Sequence, residues 1–266
     1  MFVDSHCHLE MEDFEKDRRD VIARSLGEGI DRILTVATEE RYFCKVVDII
    51  EQNPTLWGAI GIHPHNASEY NKELAKTIAK HLKHEKIVGY GEIGLDFFKN
   101  YSPRESQIHA FRLQLEAAKD AGLPVIIHSR NAKEETIQIL SECWDGALGG
   151  VIHCYSYDLH AAKRFLDMNF TISIPGTITY PNAHVLEDVV KHLPGERILA
   201  ETDAPFLTPH PYRGKRNEPC FVKLTIERIA HIRGEKIEAL AGQLGQNFEK
   251  LFLLRKAAQE DGPPGQ

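Results

Sequence analysis

The chain has 266 residues, with 32 basic against 39 acidic side chains and a formal net charge of −7. Hydrophobic residues are 42 % and charged residues 27 %, which excludes a wholly disordered chain. The negative balance argues against a protein that coats nucleic acid through bulk positive charge, but leaves room for a local basic patch.

No apolar stretch approaches the ~18 residues of a membrane span. The opening MFVDSHCHLE has no basic segment followed by an apolar one, so no secretory leader is expected. The five cysteines (Cys7, Cys44, Cys143, Cys154 and Cys220) are scattered and odd in number. That fits reduced thiols in a cytoplasm better than a disulfide framework.

Short apolar runs recur along the chain at Phe2–His8, Ile30–Ala37, Leu56–His63, Ile87–Leu95, Leu123–His128, Gly149–His153, Phe170–Ile174 and Arg197–Thr202. Segments of helical period separate them: Phe14–Leu26, Tyr42–Gln52, Leu74–His84, Arg104–Ala121, Glu134–Cys143, His160–Met168 and Ala183–His192. Two further helices are expected at Val222–Arg233 and Ile237–Leu254. Runs such as VIIH and RILA lack polar alternation, as parallel strands covered on both faces do. Eight strand–helix units fit a closed (β/α)8 TIM barrel better than an open doubly wound sheet, which would also want GxGxxG after a strand. A single domain over residues 1–256 is expected, with a flexible tail at 257–266.

The polar residues that end these runs carry the chemistry. His6 and His8 end the first, His63 and His65 the third, Glu92 and Asp96 the fourth, His128 the fifth, His153 the sixth, and Glu201 and Asp203 the eighth. In a barrel all of these ends converge on one face, where active sites sit. His6 and His8 are two apart, so strand alternation aims both imidazoles one way and Cys7 the other. His128 and His153 could each be a satisfied core histidine when taken alone. Beside an HxH pair and two acidic strand ends, metal ligation is the better reading. Glu92 is the natural bridge between two ions, because a carboxylate has an oxygen for each. Its bland alternative is an ion pair with Lys99. Asp203, nearest the mouth, is the ligand and general-base candidate. Glu201 reads as a deeper acid that orients a histidine, and Asp4 as structural. Nitrogen and oxygen donors without thiolate fit Zn²⁺, Mn²⁺ or Mg²⁺. Two such ions ~3.5–4 Å apart would activate a bridging water and clamp a phosphoryl group.

After the eighth run, Thr208–Pro219 carries Arg213, Lys215 and Arg216, with no acid before Glu218. Barrels often bind phosphate near this loop. Arg213 and Lys215 are therefore candidate phosphate contacts, with His65, Arg130 and Tyr180 on neighbouring loops. The alternative is a solvated loop with Arg213 paired to Glu218.

The segments VDSHCHL, GIHPH, GEIGLDFF, HSR, GVIHCYS, ETDAPFLTP and RGKRNEP, in this order, resemble the TatD-type deoxyribonucleases of the amidohydrolase-like superfamily. The resemblance implies that His6, His8, Glu92 and Asp203 hold one divalent ion and that Glu92, His128 and His153 hold the other. It also implies a 3′–5′ exonuclease acting on DNA ends, preferably single-stranded, with roles in repair and DNA degradation. In that reading Asp203 and Glu92 are catalytic, and His63 stabilises charge on the phosphate oxygens. A monomer without membrane attachment is the working expectation. The alternative is an amidohydrolase-type enzyme for a small amide, lactone or phosphoester, which would have little use for the basic loop. A non-catalytic metal-stabilised scaffold is a third possibility, but a full ligand set is more than stability needs.

Overall fold

In the computed structural model, which describes residues 2–254, each apolar run forms a strand. The first half of the chain gives β1 (Phe2–Cys7), α1 (Arg18–Gly27), β2 (Ile30–Ala37), α2 (Phe43–Gln52), β3 (Leu56–Ile60), α3 (Lys72–His81), β4 (Ile87–Asp96) and α4 (Arg104–Ala121). The second half gives β5 (Val125–Arg130), α5 (Lys133–Cys143), β6 (Gly150–Ile152), α6 (Leu159–Asp167), β7 (Phe170–Ile174), α7 (His184–His192), β8 (Ile198–Ala200), α8 (Val222–Arg233) and α9 (Ile237–Phe248). The tail expected at 257–266, and the domain end at 256, lie outside the described residues.

The strands are parallel and ordered β1 to β8 in sequence, a nearly closed barrel. Every residue of β4 and β7 is buried, which explains why their sequences show no polar alternation. Side chains from seven strands fill the interior: Val3, Leu34 and Val36, Ala59, Val88, Ile126, Val151 and Leu199. Phe248, Leu251 and Phe252 join that cluster, so the chain after β8 plugs the barrel from one end. The helix expected to run to Leu254 instead ends at Phe248 and continues as a π-helical turn, Glu249–Leu253. Among the described residues no helix is long and apolar enough to cross a membrane.

The seam between β8 and β1 is closed by bonds that lie past the regular strands. Asp203 N–H donates to the His6 carbonyl at 2.9 Å, and His8 N–H donates to the Ala204 carbonyl at 2.7 Å. Buried Asp4 accepts from Thr202 through both its backbone N–H (2.9 Å) and its hydroxyl (2.6 Å). Asp4 is thus a strut of the seam, as its position implied. The closure carries Asp203 up to His6 and His8. A second device acts at β4 and β5. Gly94 has φ +136°, and a Cβ there would stand 2.0 Å from the His128 carbonyl oxygen. Only glycine permits this approach, which holds the strand bearing Glu92 close against the strand bearing His128.

Candidate metal centre

The strand ends gather five histidines around one carboxylate. Glu92 Oε1 lies 2.6 Å from His128 Nδ1, 2.9 Å from His153 Nε2 and 3.5 Å from His63 Nε2. Glu92 Oε2 faces the other way, 3.4 Å from His6 Nε2 and 3.9 Å from His8 Nε2. Asp203 Oδ1 completes the second side, 3.4 Å from His8 Nε2 and 3.9 Å from His6 Nε2. The His6 and His8 Nε2 atoms are 3.3 Å apart, and the His6 ring stacks on His153 at 3.8 Å. Lys99 makes no pair with Glu92, so the ion-pair alternative does not describe this residue.

Potential ligand atoms lie within 4.8 Å of one another in three sets: His6, His8 and Asp203; His6, His153 and Glu201; His63, Glu92 and His128. Whether divalent ions suit the site follows from the donors. They are imidazole nitrogens and carboxylate oxygens with no thiolate, a hard-to-intermediate set. Buried His6 Nδ1 and Glu201 Oε2 have no hydrogen-bond partner, an arrangement that costs free energy unless something is coordinated nearby. The residues fit.

Acids and a carbonyl stand behind the candidate ligand rings. His8 Nδ1 meets the Val36 carbonyl at 2.8 Å and Glu10 Oε1 at 3.3 Å. The carbonyl can only accept, so Nδ1 carries the proton and Nε2 turns a lone pair to the centre. Glu10 is itself anchored by the Thr35 hydroxyl at 2.7 Å. Glu201 stands 3.1 Å from His153 Nδ1 and accepts the Cys154 N–H at 2.7 Å. Asp96 holds His65 Nε2 at 2.9 Å and lies 3.4 Å from His128 Nε2. Glu10 is missing from the sequence-derived set, and Asp96 stands there only as a strand end with no role assigned. Both carried a signal: Glu10 extends HxH by one more strand period, and Asp96 ends an apolar run. Glu201 and Asp203 are two apart in sequence, but strand alternation does not give them one face. β8 stops at Ala200 and Asp203 is left-handed, with φ +57°, so they approach the centre from different sides.

Charge in the centre is mutually adjusted. Burial pushes His63 down to about 4 and also lowers His6; burial would lower His8, His128 and His153 as well, but neighbouring carboxylates raise them. Burial alone would raise Glu92, but His153, His63 and His128 hold it well below the usual carboxylate range. Burial likewise opposes ionisation of Asp203, and His8 and His153 overcome it.

Above the centre lies a cleft of about 840 Å³, lined by His63, His65, Lys99, Tyr101, Arg130 and Phe206 among others. His65 and Arg130 thus face it. Tyr180, Arg213 and Lys215 are not among its lining residues. Arg213 lies over the Tyr180 ring at 4.6 Å and Lys215 over Tyr212 at 5.6 Å. Glu218 pairs with Arg24 and Arg216, and not with Arg213 as the alternative supposed.

A buried cluster of histidines and carboxylates at the mouth of a (β/α)8 barrel defines a metal-dependent hydrolase. The chain belongs to the TatD-related DNase family, whose model matches residues 3–253. It is 39 % identical over 254 residues to the metal-dependent hydrolase YabD of Bacillus subtilis strain 168, covering 96 % of this chain and all of that one. It is 34 % identical to the 3′-5′ ssDNA/RNA exonuclease TatD of Erwinia billingiae, covering 94 % and 98 % of the two chains. The crystal structure of YJJV, a TatD homolog of Escherichia coli K12, superposes with a TM-score of 0.90 at 32 % identity, covering 94 % of this chain and 97 % of that one.

Proposed function

We propose that this chain is a deoxyribonuclease that uses two divalent ions to remove nucleotides from the 3′ end of single-stranded DNA. One observation carries the proposal. Glu92 divides its two oxygens between separate histidine groups at the floor of a cleft whose wall carries Lys99 and Arg130. The naming of a relative at 34 % identity as a 3′-5′ ssDNA/RNA exonuclease supports the same substrate class. All five cysteines are free, in keeping with the cytoplasm as its place of action.

Ions at this centre would supply Lewis-acid activation of water and neutralise charge at phosphorus. His6, His8 and Asp203 would hold one, and His128 and His153 the other, with Glu92 between them. His63 stands beside Glu92 Oε1, where it can also ligate or steady a phosphate oxygen. Asp203, 13 % exposed, reaches the cleft and is the base that would accept the proton of the attacking water. His65, fixed by Asp96, and Arg130 are placed for the non-bridging oxygens. Arg213, Lys215 and Tyr180 would meet phosphates farther along the strand.

The test is a set of end-labelled oligonucleotides, single- and double-stranded, incubated with Mg²⁺, Mn²⁺ or Zn²⁺. The expected result is stepwise 3′ shortening of the single strand, lost with EDTA and in Glu92→Gln. No nucleotide release with any ion, together with turnover of a neutral lactone or amide, would overturn it in favour of the small-molecule hydrolase.

A further inference from the structure

Phe98 and Tyr101, on the segment between β4 and α4, are 54 % and 67 % exposed. Single exposed apolar residues are ordinary, but two rings flanked by cations at the mouth of a catalytic cleft form a patch with a definite chemistry. The Tyr101 ring lies 4.6 Å from His65, His65 lies 4.2 Å from His63, and His63 lies 4.5 Å from His128. A line of rings therefore runs from the Glu92 cluster to solvent.

The cations belong to the same patch. The Arg130 guanidinium sits 4.1 Å from the Phe98 centroid, and the Lys99 ammonium lies 5.9 Å from Phe98 and 5.8 Å from Tyr101. Among the described residues no carboxylate pairs with either, whereas Arg18, Arg112, Arg164, Arg216 and Arg228 are each paired. The segment is also fixed in advance. Asp96 accepts the N–H groups of Phe98 (2.9 Å) and Lys99 (2.8 Å) at its start. Near its end the Ser102 hydroxyl donates to the His65 carbonyl at 2.8 Å and accepts from Ser68 N–H at 3.1 Å. Binding on a preset surface loses less entropy than binding on a mobile one.

We propose that Phe98 and Tyr101 are the base-stacking platform for the nucleotides next to the cleaved bond, with Lys99 and Arg130 on the flanking phosphates. This rests on the nuclease reading above and adds the feature that selects the strand. Stacking on a ring accepts any base, because every base has a π face. Inside a duplex both faces are covered and a blunt end offers only the outer face of its last pair, so two successive bases can seat on the rings only from a single strand or a frayed end. The platform thus makes the enzyme selective for unpaired ends without reading sequence.

The test uses the full-length protein in EDTA and fluorescein-labelled 12-nucleotide dT strands. One strand is complete, and the other carries tetrahydrofuran in place of its last two 3′ nucleosides. By fluorescence anisotropy the wild type should bind the complete strand roughly 10-fold or more tighter for each ring engaged. Phe98→Ala with Tyr101→Ala should bind both strands equally, while Tyr101→Trp should keep the preference. Both rings are exposed, so an unchanged melting temperature would show that the double variant folds. Cleavage of the same strands with Mg²⁺, Mn²⁺ or Zn²⁺ in turn separates the two readings. Base-dependent binding without cleavage sinks the nuclease and keeps the platform. Cleavage with no base preference, unchanged in the double alanine variant, sinks the platform and keeps the nuclease.

Discussion

Two loops at the mouth of the barrel are rich in aromatic and basic residues, and they spend their charge differently. In the loop after β8, Arg216 bonds Asp17 at 2.6 Å and Glu218 at 3.2 Å, and its guanidinium covers Phe14 at 4.7 Å. Tyr212 stacks on Phe221 at 4.8 Å, and the Tyr180 hydroxyl donates to the Thr208 carbonyl at 2.9 Å. Arg216 is thus bonded away, while Arg213 and Lys215, with no carboxylate partner among the described residues, lie over Tyr180 and Tyr212 outside the cleft lining. In the segment after β4, Lys99 makes no ion pair among the described residues, nor does Arg130 at the end of the adjoining β5, and both line the cleft. Clustering of basic residues in a sequence therefore does not show which charges are free for a substrate. The acids that neutralise Arg216 include Asp17, on a segment almost two hundred residues away.

The largest effect that bears on this contrast lies beneath both loops. Glu92→Gln removes the one negative charge whose two oxygens face both sides of the centre. It should lower kcat on the order of a thousandfold and reduce bound metal measured by elemental analysis. Asp96→Asn and Glu201→Gln disturb rings rather than the bridge, so a 10–100-fold loss of metal affinity is the expected scale, about what supporting partners contribute. If Asp96→Asn matched Glu92→Gln, Asp96 would have to be a ligand in its own right. Next comes the rim itself. Arg130→Ala should raise KM on single-stranded DNA roughly 10-fold, the worth of a charge-assisted contact. Arg213→Ala with Lys215→Ala should cost only about 3-fold on a short strand, rising with strand length, because these cations stand off the cleft. A larger loss on the shortest substrates would reverse the ranking of the two loops.

The fold was legible because a parallel barrel writes each strand as an apolar run and places each polar strand end on one face. β2 and β7 coincide with their apolar runs, and α4 and α8 with their helical segments. The metal-type residues were legible for the same reason, since His128 and His153 are polar ends to buried strands. What stayed hidden depends on partners across the barrel. Glu10 matters through the His8 ring and Thr35, and Asp96 through His65, and neither pairing has a local pattern. The left-handed turn at Asp203 has none either, because Asp carries no steric mark of that conformation as glycine does. Phe98 and Tyr101 escaped notice since an aromatic in sequence reads as core, and only burial separates Phe97, 6 % exposed, from its neighbour Phe98.

Arg216 provides the smallest and sharpest test of the two-loop contrast, because it stands beside Arg213 and Lys215 in sequence yet is bonded away from the cleft. Its guanidinium holds the Asp17 carboxyl below the usual range, and it also donates to the Asp13 carbonyl at 2.6 Å. Arg216→Ala should leave KM unchanged. Both partners are about one-third exposed, so solvent screening limits the pair to about 1 kcal/mol. In a domain of this size that lowers Tm by roughly 2–4 °C at pH 7. The sign with pH follows from Asp17. A carboxylate whose folded pKa is depressed stabilises the fold above its unfolded pKa, and that contribution is lost as pH falls through the folded value. The Tm gap between wild type and Arg216→Ala should therefore be full at neutral pH and shrink in acid below about pH 4. A gap that persists there would assign the stability to the Phe14 contact and the Asp13 carbonyl instead. A rise in KM would mean that the substrate reaches Arg216 after all, and that the loop after β8 works as one basic patch.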